Sequence, residues 1–170
     1  MGYRDHQQQS SSLSHGSIRC GIITISDTRT SETDTSGAKI RALLTQASHD
    51  VVKYEVIRDE PQDIVELLRS CEREGCQVII TNGGTGIARR DSTFEAVDGL
   101  LEKRLPGFGE LFRMLSYQDI GSGAMLSRAT AGIFGRAIIF ALPGSTGAVQ
   151  LAMEKLILPE LSHLVWELVR

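Results

Sequence analysis

One stretch constrains this chain more than any other: Thr81-Asn82-Gly83-Gly84-Thr85-Gly86-Ile87-Ala88-Arg89-Arg90-Asp91-Ser92-Thr93. The apolar run before it, Gln77-Val78-Ile79-Ile80, reads as a buried parallel strand. Ser92 and Glu95 at its far end have capping-box spacing, which predicts a helix start. A glycine-rich loop between a strand's carboxyl end and a helix N-terminus is where an open α/β sheet receives ligands. Gly83, Gly84 and Gly86 let backbone N–H groups approach an anion with no Cβ in the way. Arg89 and Arg90 add positive charge, and Asp91 adds a carboxylate able to hold a metal ion. Two familiar phosphate loops are excluded. The stretch has no lysine for a P-loop, and Arg89 stands where the third glycine of a dinucleotide fingerprint belongs. The competing reading is a structural turn in which Asp91 or Ser92 merely caps a helix.

The rest of the chain repeats the strand, turn and helix rhythm. The β-branched run Gly21-Ile22-Ile23-Thr24-Ile25 predicts a central strand within Ile18 to Ser26. The polar segment Asp27 to Ser36 follows at that strand's carboxyl end, in position to close over a ligand. Asp27 there is either a site residue or a solvated turn. Helical spacing appears at Ile40, Leu43 and Leu44. A second strand is predicted over Val51 to Ile57, with Val52, Tyr54 and Val56 on one face and Val51 and Ile57 on the other. Pro61 suits a helix's first turn, and Ile64, Val65, Leu67 and Leu68 supply its buried stripe. Asp59 therefore sits at the end of one strand, as Asp91 follows the end of the next. It is either a helix N-cap or the second member of a pair of acids converging on one crevice. Two carboxylates with phosphate oxygens make a typical magnesium environment.

Beyond the loop, a short helix is predicted from Thr93 to about Lys103. Another runs over Phe108 to Gln118 with Leu111, Phe112 and Leu115 buried, and a third from Ala124 to Ala131. Ala137-Ile138-Ile139-Phe140-Ala141 gives the fourth clear strand. Pro143-Gly144-Ser145-Thr146-Gly147 then repeats the organising logic, with Ser145 or Thr146 capping the next helix; it is a second anion loop or an ordinary turn. Pro159 opens the last helix, striped by Leu161, Leu164, Val165 and Leu168.

At 170 residues this is one domain over residues 17–170, preceded by a polar tail over residues 1–16 expected to be mobile. A net charge of -3 with scattered basic residues argues against a nucleic-acid groove or a polybasic membrane patch. No apolar run approaches the ~20 residues of a membrane span, and the polar start is unlike a signal peptide, so a cytoplasmic location is expected. Cys20, Cys71 and Cys76 lack zinc or redox spacing and read as reduced packing residues; His6, His15, His49 and His163 form no ligand cluster.

The first loop with Arg90-Asp91, followed by Leu142-Pro143-Gly144-Ser145-Thr146-Gly147-Ala148, resembles the molybdopterin-binding MoaB/Mog family of molybdenum cofactor biosynthesis. The likeness runs from about Ile18 to the C-terminus. Leu115-Ser116-Tyr117-Gln118-Asp119-Ile120-Gly121 and Ser127-Arg128-Ala129 point to its MoaB branch. The resemblance implies a three-layer α/β/α domain with a mostly parallel central sheet. It also implies binding of molybdopterin and its adenylylation with Mg-ATP as co-substrate, releasing pyrophosphate. The family's two important acids fall on Asp59 and Asp91, as catalytic and magnesium-binding residues. Substrate-binding positions fall on Thr81, Gly83, Gly84, Thr85, Gly86, Arg90, Pro143, Gly144 and Ser145, with Asp27 a further candidate. A homo-oligomer is implied, a hexamer before a trimer, together with contact to other molybdenum cofactor biosynthesis proteins. The second loop lacks the further proline of Mog-type domains, which keeps a non-catalytic molybdopterin-binding or carrier protein as the alternative function.

Overall fold

The computed structural model describes residues 16–170; all but the last residue of the expected tail lies outside them. Six strands form one sheet in the order β2-β1-β3-β6-β5-β4. They are β1 Arg19–Ile25, β2 Asp50–Ile57, β3 Val78–Asn82, β4 Lys103–Arg104, β5 Thr130–Phe134 and β6 Ala137–Leu142. The first three and β6 run parallel, whereas β5 pairs antiparallel with β6, and β4 with β5. The sheet is thus mixed and mostly parallel. Every residue of β3 and β6 is buried, as strands covered on both faces must be.

Period-two alternation sorts the strand side chains into two cores. On one face Cys20, Ile22, Val78, Ile80, Ile138 and Phe140 pack under four helices: α1 Thr35–Gln46, α4 Pro106–Ile120, α5 Thr146–Ala152 and α6 Leu158–Val169. On the other, Ile23, Ile25, Ile79, Ile139 and Ala141 pack under α2 Pro61–Arg73 and α3 Thr93–Asp98. The helix after β1 and the helix after β3 therefore lie on opposite faces. Their departure in opposite directions opens a crevice at the strands' carboxyl ends. The three cysteines are free and buried, and burial pushes the Cys20 thiol up to about 12.

Four sequence expectations need correction. In β2, the register to β1 shifts between Cys20 and Gly21, so Val52 is an extra residue. The bulge reverses the alternation: Val51 joins Tyr54 against the first core while Val52 is exposed. The segment predicted as a helix from Ala124 to Ala131 is instead a tight 3-10 turn, Gly121–Leu126, followed by β5. The helix expected to reach Lys103 stops at Asp98, because Lys103 and Arg104 pair with β5 as a strand. Leu111, expected inside, is 47% exposed and Leu115 only half-buried; Phe112 is buried as expected, joined on α4 by Gly109 and Ser116.

Candidate functional site: a cleft at the carboxyl ends of three strands

The loops after β1, β3 and β6 surround a cleft of ≈ 540 Å³. Its walls include Ser26 to Arg29 in part, Gly83 to Gly86, Leu126 and Ser127, and Pro143 to Ser145. Both glycine-bearing loops singled out from sequence therefore meet in one place. The close approach is what requires glycine: a Cβ on Gly83, whose φ is +99°, would run into the Ile25 carbonyl oxygen, and one on Gly144 would stand 3.0 Å from Gly83 Cα. Gly83 N–H donates to the Leu142 carbonyl at 3.0 Å, tying the two loops together. Gly84 is also left-handed at +62°.

Among the described residues, no protein acceptor meets the N–H groups of Gly84, Thr85 and Gly86. Thr85 is only 4% exposed. Consecutive unpaired amides in such a turn form an anion-binding concavity, and buried amides left without a partner are rare. At the second loop Ser145 caps α5, its Oγ accepting from Ala148 N–H at 3.1 Å. Thr81 lies away from the cleft wall: it is fully buried in β3, and its hydroxyl donates to the Phe140 carbonyl at 3.4 Å.

The two acids flank the same loop, and neither is among the residues that line the cleft. Asp59 Oδ2 lies against Gly84 and Asp91 Oδ2 against Gly86. Asp59 is 4% exposed; its Oδ1 accepts from Ser92 Oγ at 2.6 Å, Ser92 N–H at 3.3 Å and Thr93 Oγ1 at 3.4 Å, and Oδ2 shares only the Ser92 N–H, also at 3.3 Å. The expected capping box does not form, because Ser92 gives its hydroxyl to Asp59 and makes no side-chain cap. Nor does Asp59 cap its own helix, where Glu60 holds the cap position; it ties down the start of α3 instead. Asp91 is half-buried and accepts from Ala88 N–H through Oδ2 at 2.9 Å, whereas no donor among the described residues reaches Oδ1.

Outside this pair runs an exposed strap. Arg90 donates to both oxygens of Asp27, at 3.0 and 3.1 Å, and to Glu60 Oε1 at 2.8 Å. The Arg90 hydrogen bonds hold the Asp27 carboxyl below its ordinary range, and Asp27 Oδ1 also accepts from Asp59 N–H. Asp27 and Arg90 thus partner each other and do not line the cleft. Arg89 is exposed beside them.

Magnesium tests this donor set differently at each acid. The ion is bound by one or two carboxylates and completed by water and phosphate oxygens. Asp91 Oδ1 fits that role, whereas Asp59 is 4% exposed with Oδ2 packed against Gly84, so a metal reaches it only if the loop moves. Among the described residues no cluster of three or more His, Cys, Asp or Glu side chains stands ready for a metal.

Two arginines that sequence reasoning left unassigned complete the site. Arg128 donates to the Thr85 and Gly86 carbonyls, each at 2.9 Å, pairs with Glu95 at 2.6 Å and lies 4.7 Å over the Phe94 ring. It pins the glycine loop by its carbonyl oxygens and leaves the amides of that loop untouched. The Ser127-Arg128-Ala129 segment marks the branch in the sequence but gives Arg128 no role, because its partners lie 42 and 43 residues away. Arg29 lies on the cleft wall, and its only signal is a cation in the loop after a strand's carboxyl end.

Beneath Arg29 is a buried polar network. Tyr54 Oη donates to Asp34 Oδ2 at 2.6 Å, Gly37 N–H to Oδ1 at 3.0 Å, and Asn82 links Thr24 to Ser36 at 2.8 Å on each side. Burial opposes ionisation of Asp34, but donors from Thr24, Tyr54, Gly37 and Ser36 outweigh it and hold the carboxyl below its ordinary range. A depressed folded-state value contributes stability that is complete above the unfolded value of ~3.9 and is lost as pH falls through the folded one. Asp34→Asn should therefore lower stability at neutral pH and flatten the loss on acidification below that value. Acid unfolding followed by circular dichroism checks both.

Residues 21–163 match the model of the family described as "Probable molybdopterin binding domain". The chain belongs to the molybdopterin-binding domain family. Molybdenum cofactor biosynthesis protein B of Bacillus anthracis is 53% identical over 172 residues, spanning 100% of this chain and 99% of that protein. A crystal structure of a protein bearing the same name has 55% identity and a TM-score of 0.89, over 91% of this chain and 98% of that one. The tungsten cofactor synthesizing protein MoaB from Pyrococcus furiosus has 35% identity and a TM-score of 0.83, over 91% and 98% of the two chains. Within the family, then, this domain is similar to the MoaB proteins, and the expected α/β fold is present.

Proposed function

We propose that this chain serves molybdenum cofactor biosynthesis by binding molybdopterin in the cleft and adenylylating it with Mg-ATP. The observation that carries the reading is the run of unpaired amides at Gly84, Thr85 and Gly86, residues that line a cleft completed by the Pro143-Gly144-Ser145 loop. Such amides suit phosphate oxygens. In the reaction a pterin phosphate oxygen forms a bond to the α-phosphorus of ATP as the bond to pyrophosphate breaks. No protein nucleophile is needed, so the chain's contribution is to position the two substrates and offset their charge. Magnesium, when bound, would offset charge on the α-phosphate and departing pyrophosphate, and Asp91 and Asp59 would hold it. The test is pyrophosphate release from ATP by the purified protein with molybdopterin and magnesium; no release above the protein-free rate would end the enzymatic reading.

The second reading is a non-catalytic molybdopterin carrier. The burial of Asp59 favours it, because a carboxylate 4% exposed, with Oδ1 taken by Ser92 and Thr93 and Oδ2 against Gly84, is poorly placed to receive a metal. Calorimetry separates the two: a carrier binds molybdopterin and takes up no ATP.

The remaining expectations belong to the same proposal. The protein works in the cytoplasm without nucleic acid or membrane; among the described residues no helix is long and apolar enough to cross a membrane. It assembles with itself, as a hexamer before a trimer, and meets other proteins of the pathway. Exposed Leu111, Met114, Tyr117 and Ile120 on α4, continued by Met125 and Leu126, support self-assembly.

A further inference from the structure

We propose that Arg29 reads the charge of the ligand, contacting a phosphate oxygen and making the cleft discriminate phosphorylated from unphosphorylated molecules. This rests on the reading of the cleft as a phosphate site. Among the described residues that line it, Arg29 is the one with a charged side chain. Its side chain is 31% exposed, so the guanidinium is partly desolvated and still reachable.

The group is also fixed in place. Nη1 donates to Ser36 Oγ at 2.7 Å and Nη2 to the Gly144 carbonyl at 2.9 Å, bridging the start of α1 to the second loop. Ser36 is itself fully buried and bonded to Asn82 and Asp34. Asp34 Oδ1 lies 3.9 Å from Nη1, which keeps the cation oriented from below. Nε and the other N–H groups of the planar fork stay available, and that fork matches phosphate geometry in a way an ammonium does not. Together with the amides of Gly84 to Gly86, it gives the cleft a side-chain donor and a backbone donor for the same kind of ligand. Arg29 is thus a binding residue, and Ser36 positions it.

Calorimetry with ATP, adenosine and molybdopterin tests this on the wild type and on Arg29→Ala, Arg29→Lys and Ser36→Ala, each checked for folding by thermal denaturation. Arg29→Ala should weaken ATP or molybdopterin at least tenfold and leave adenosine within twofold. The ligand that weakens is the one whose phosphate Arg29 holds. Arg29→Lys should recover only part of the loss, and Ser36→Ala should show a smaller loss in the same ligand. Unchanged affinity for both phosphorylated ligands in a folded Arg29→Ala protein would overturn the assignment. So would an equal loss for ATP and adenosine, which would make Arg29 a brace for the cleft and nothing more. If the wild type binds neither ATP nor molybdopterin, the phosphate reading of the cleft fails and the role of Arg29 fails with it.

Discussion

Gly83→Ala should lower the free energy of unfolding by about 3 kcal/mol and abolish measurable binding of molybdopterin. Two separate costs add. Holding an L-residue in a sparsely populated backbone conformation costs about 1–3 kcal/mol, and Gly83 has a φ of +99°. The new Cβ would also meet the Ile25 carbonyl oxygen, which is backbone at the end of a central strand and cannot swing aside. Forcing extra volume into a packed site costs roughly 1–3 kcal/mol more. Relief is available only if the loop moves, and moving it breaks the Gly83 to Leu142 hydrogen bond and separates the two cleft walls. Gly147→Ala is the matching control. A Cβ there meets nothing within 4 Å and sits in α5, so the change should be neutral or slightly stabilising. Urea titration and calorimetry on both variants check this; a Gly83→Ala protein with wild-type midpoint and affinity would refute the close packing of the loops.

Asp91→Asn should cut pyrophosphate release by roughly 10²–10³-fold, the range for losing one group that stabilises developing charge. Its stability should change by no more than about 1 kcal/mol, since asparagine retains an acceptor for the single bond from Ala88 N–H. Asp59→Asn should behave differently. Its oxygen can still accept at the Oδ1 position, but those bonds lose their charge assistance and the NH₂ replacing Oδ2 faces the Ser92 N–H in a buried position, at a cost of about 1–3 kcal/mol. Both stability and activity should fall there, whereas at Asp91 only activity falls. Chelating magnesium should bring the wild type down to the Asp91→Asn rate. Turnover in Asp91→Asn at the wild-type rate would remove the metal role from that residue.

Much of this architecture was legible in the sequence because it is written locally. Apolar runs of β-branched residues, each ending in small or polar residues and followed by helical spacing, describe β1, β3 and β6 and the loops after them. The antiparallel end of the sheet was not legible. Thr130-Ala131-Gly132-Ile133 is small and glycine-bearing, and it is a strand because it packs where a Cβ on Gly132 would strike the Lys103 carbonyl. The bulge at Val52 was equally invisible, since a single extra residue against β1 leaves no mark in composition. The capping box failed for a related reason. Ser92 has the right spacing to Glu95, but Asp59 and Arg128 compete for those two side chains across the fold, and both competitors win.

The sequence by itself determined the rhythm of strand, loop and helix, the two glycine loops and the pair of acids, because periodicity and backbone freedom act over a few residues. Only the tertiary structure decided which side chains stand beside those loops. Arg29 reaches a carbonyl 115 residues away, and Arg128 grips loop carbonyls 42 and 43 residues back. Strand order created those contacts by carrying chain segments across the sheet, and no local pattern records which distant residue the crossing delivers.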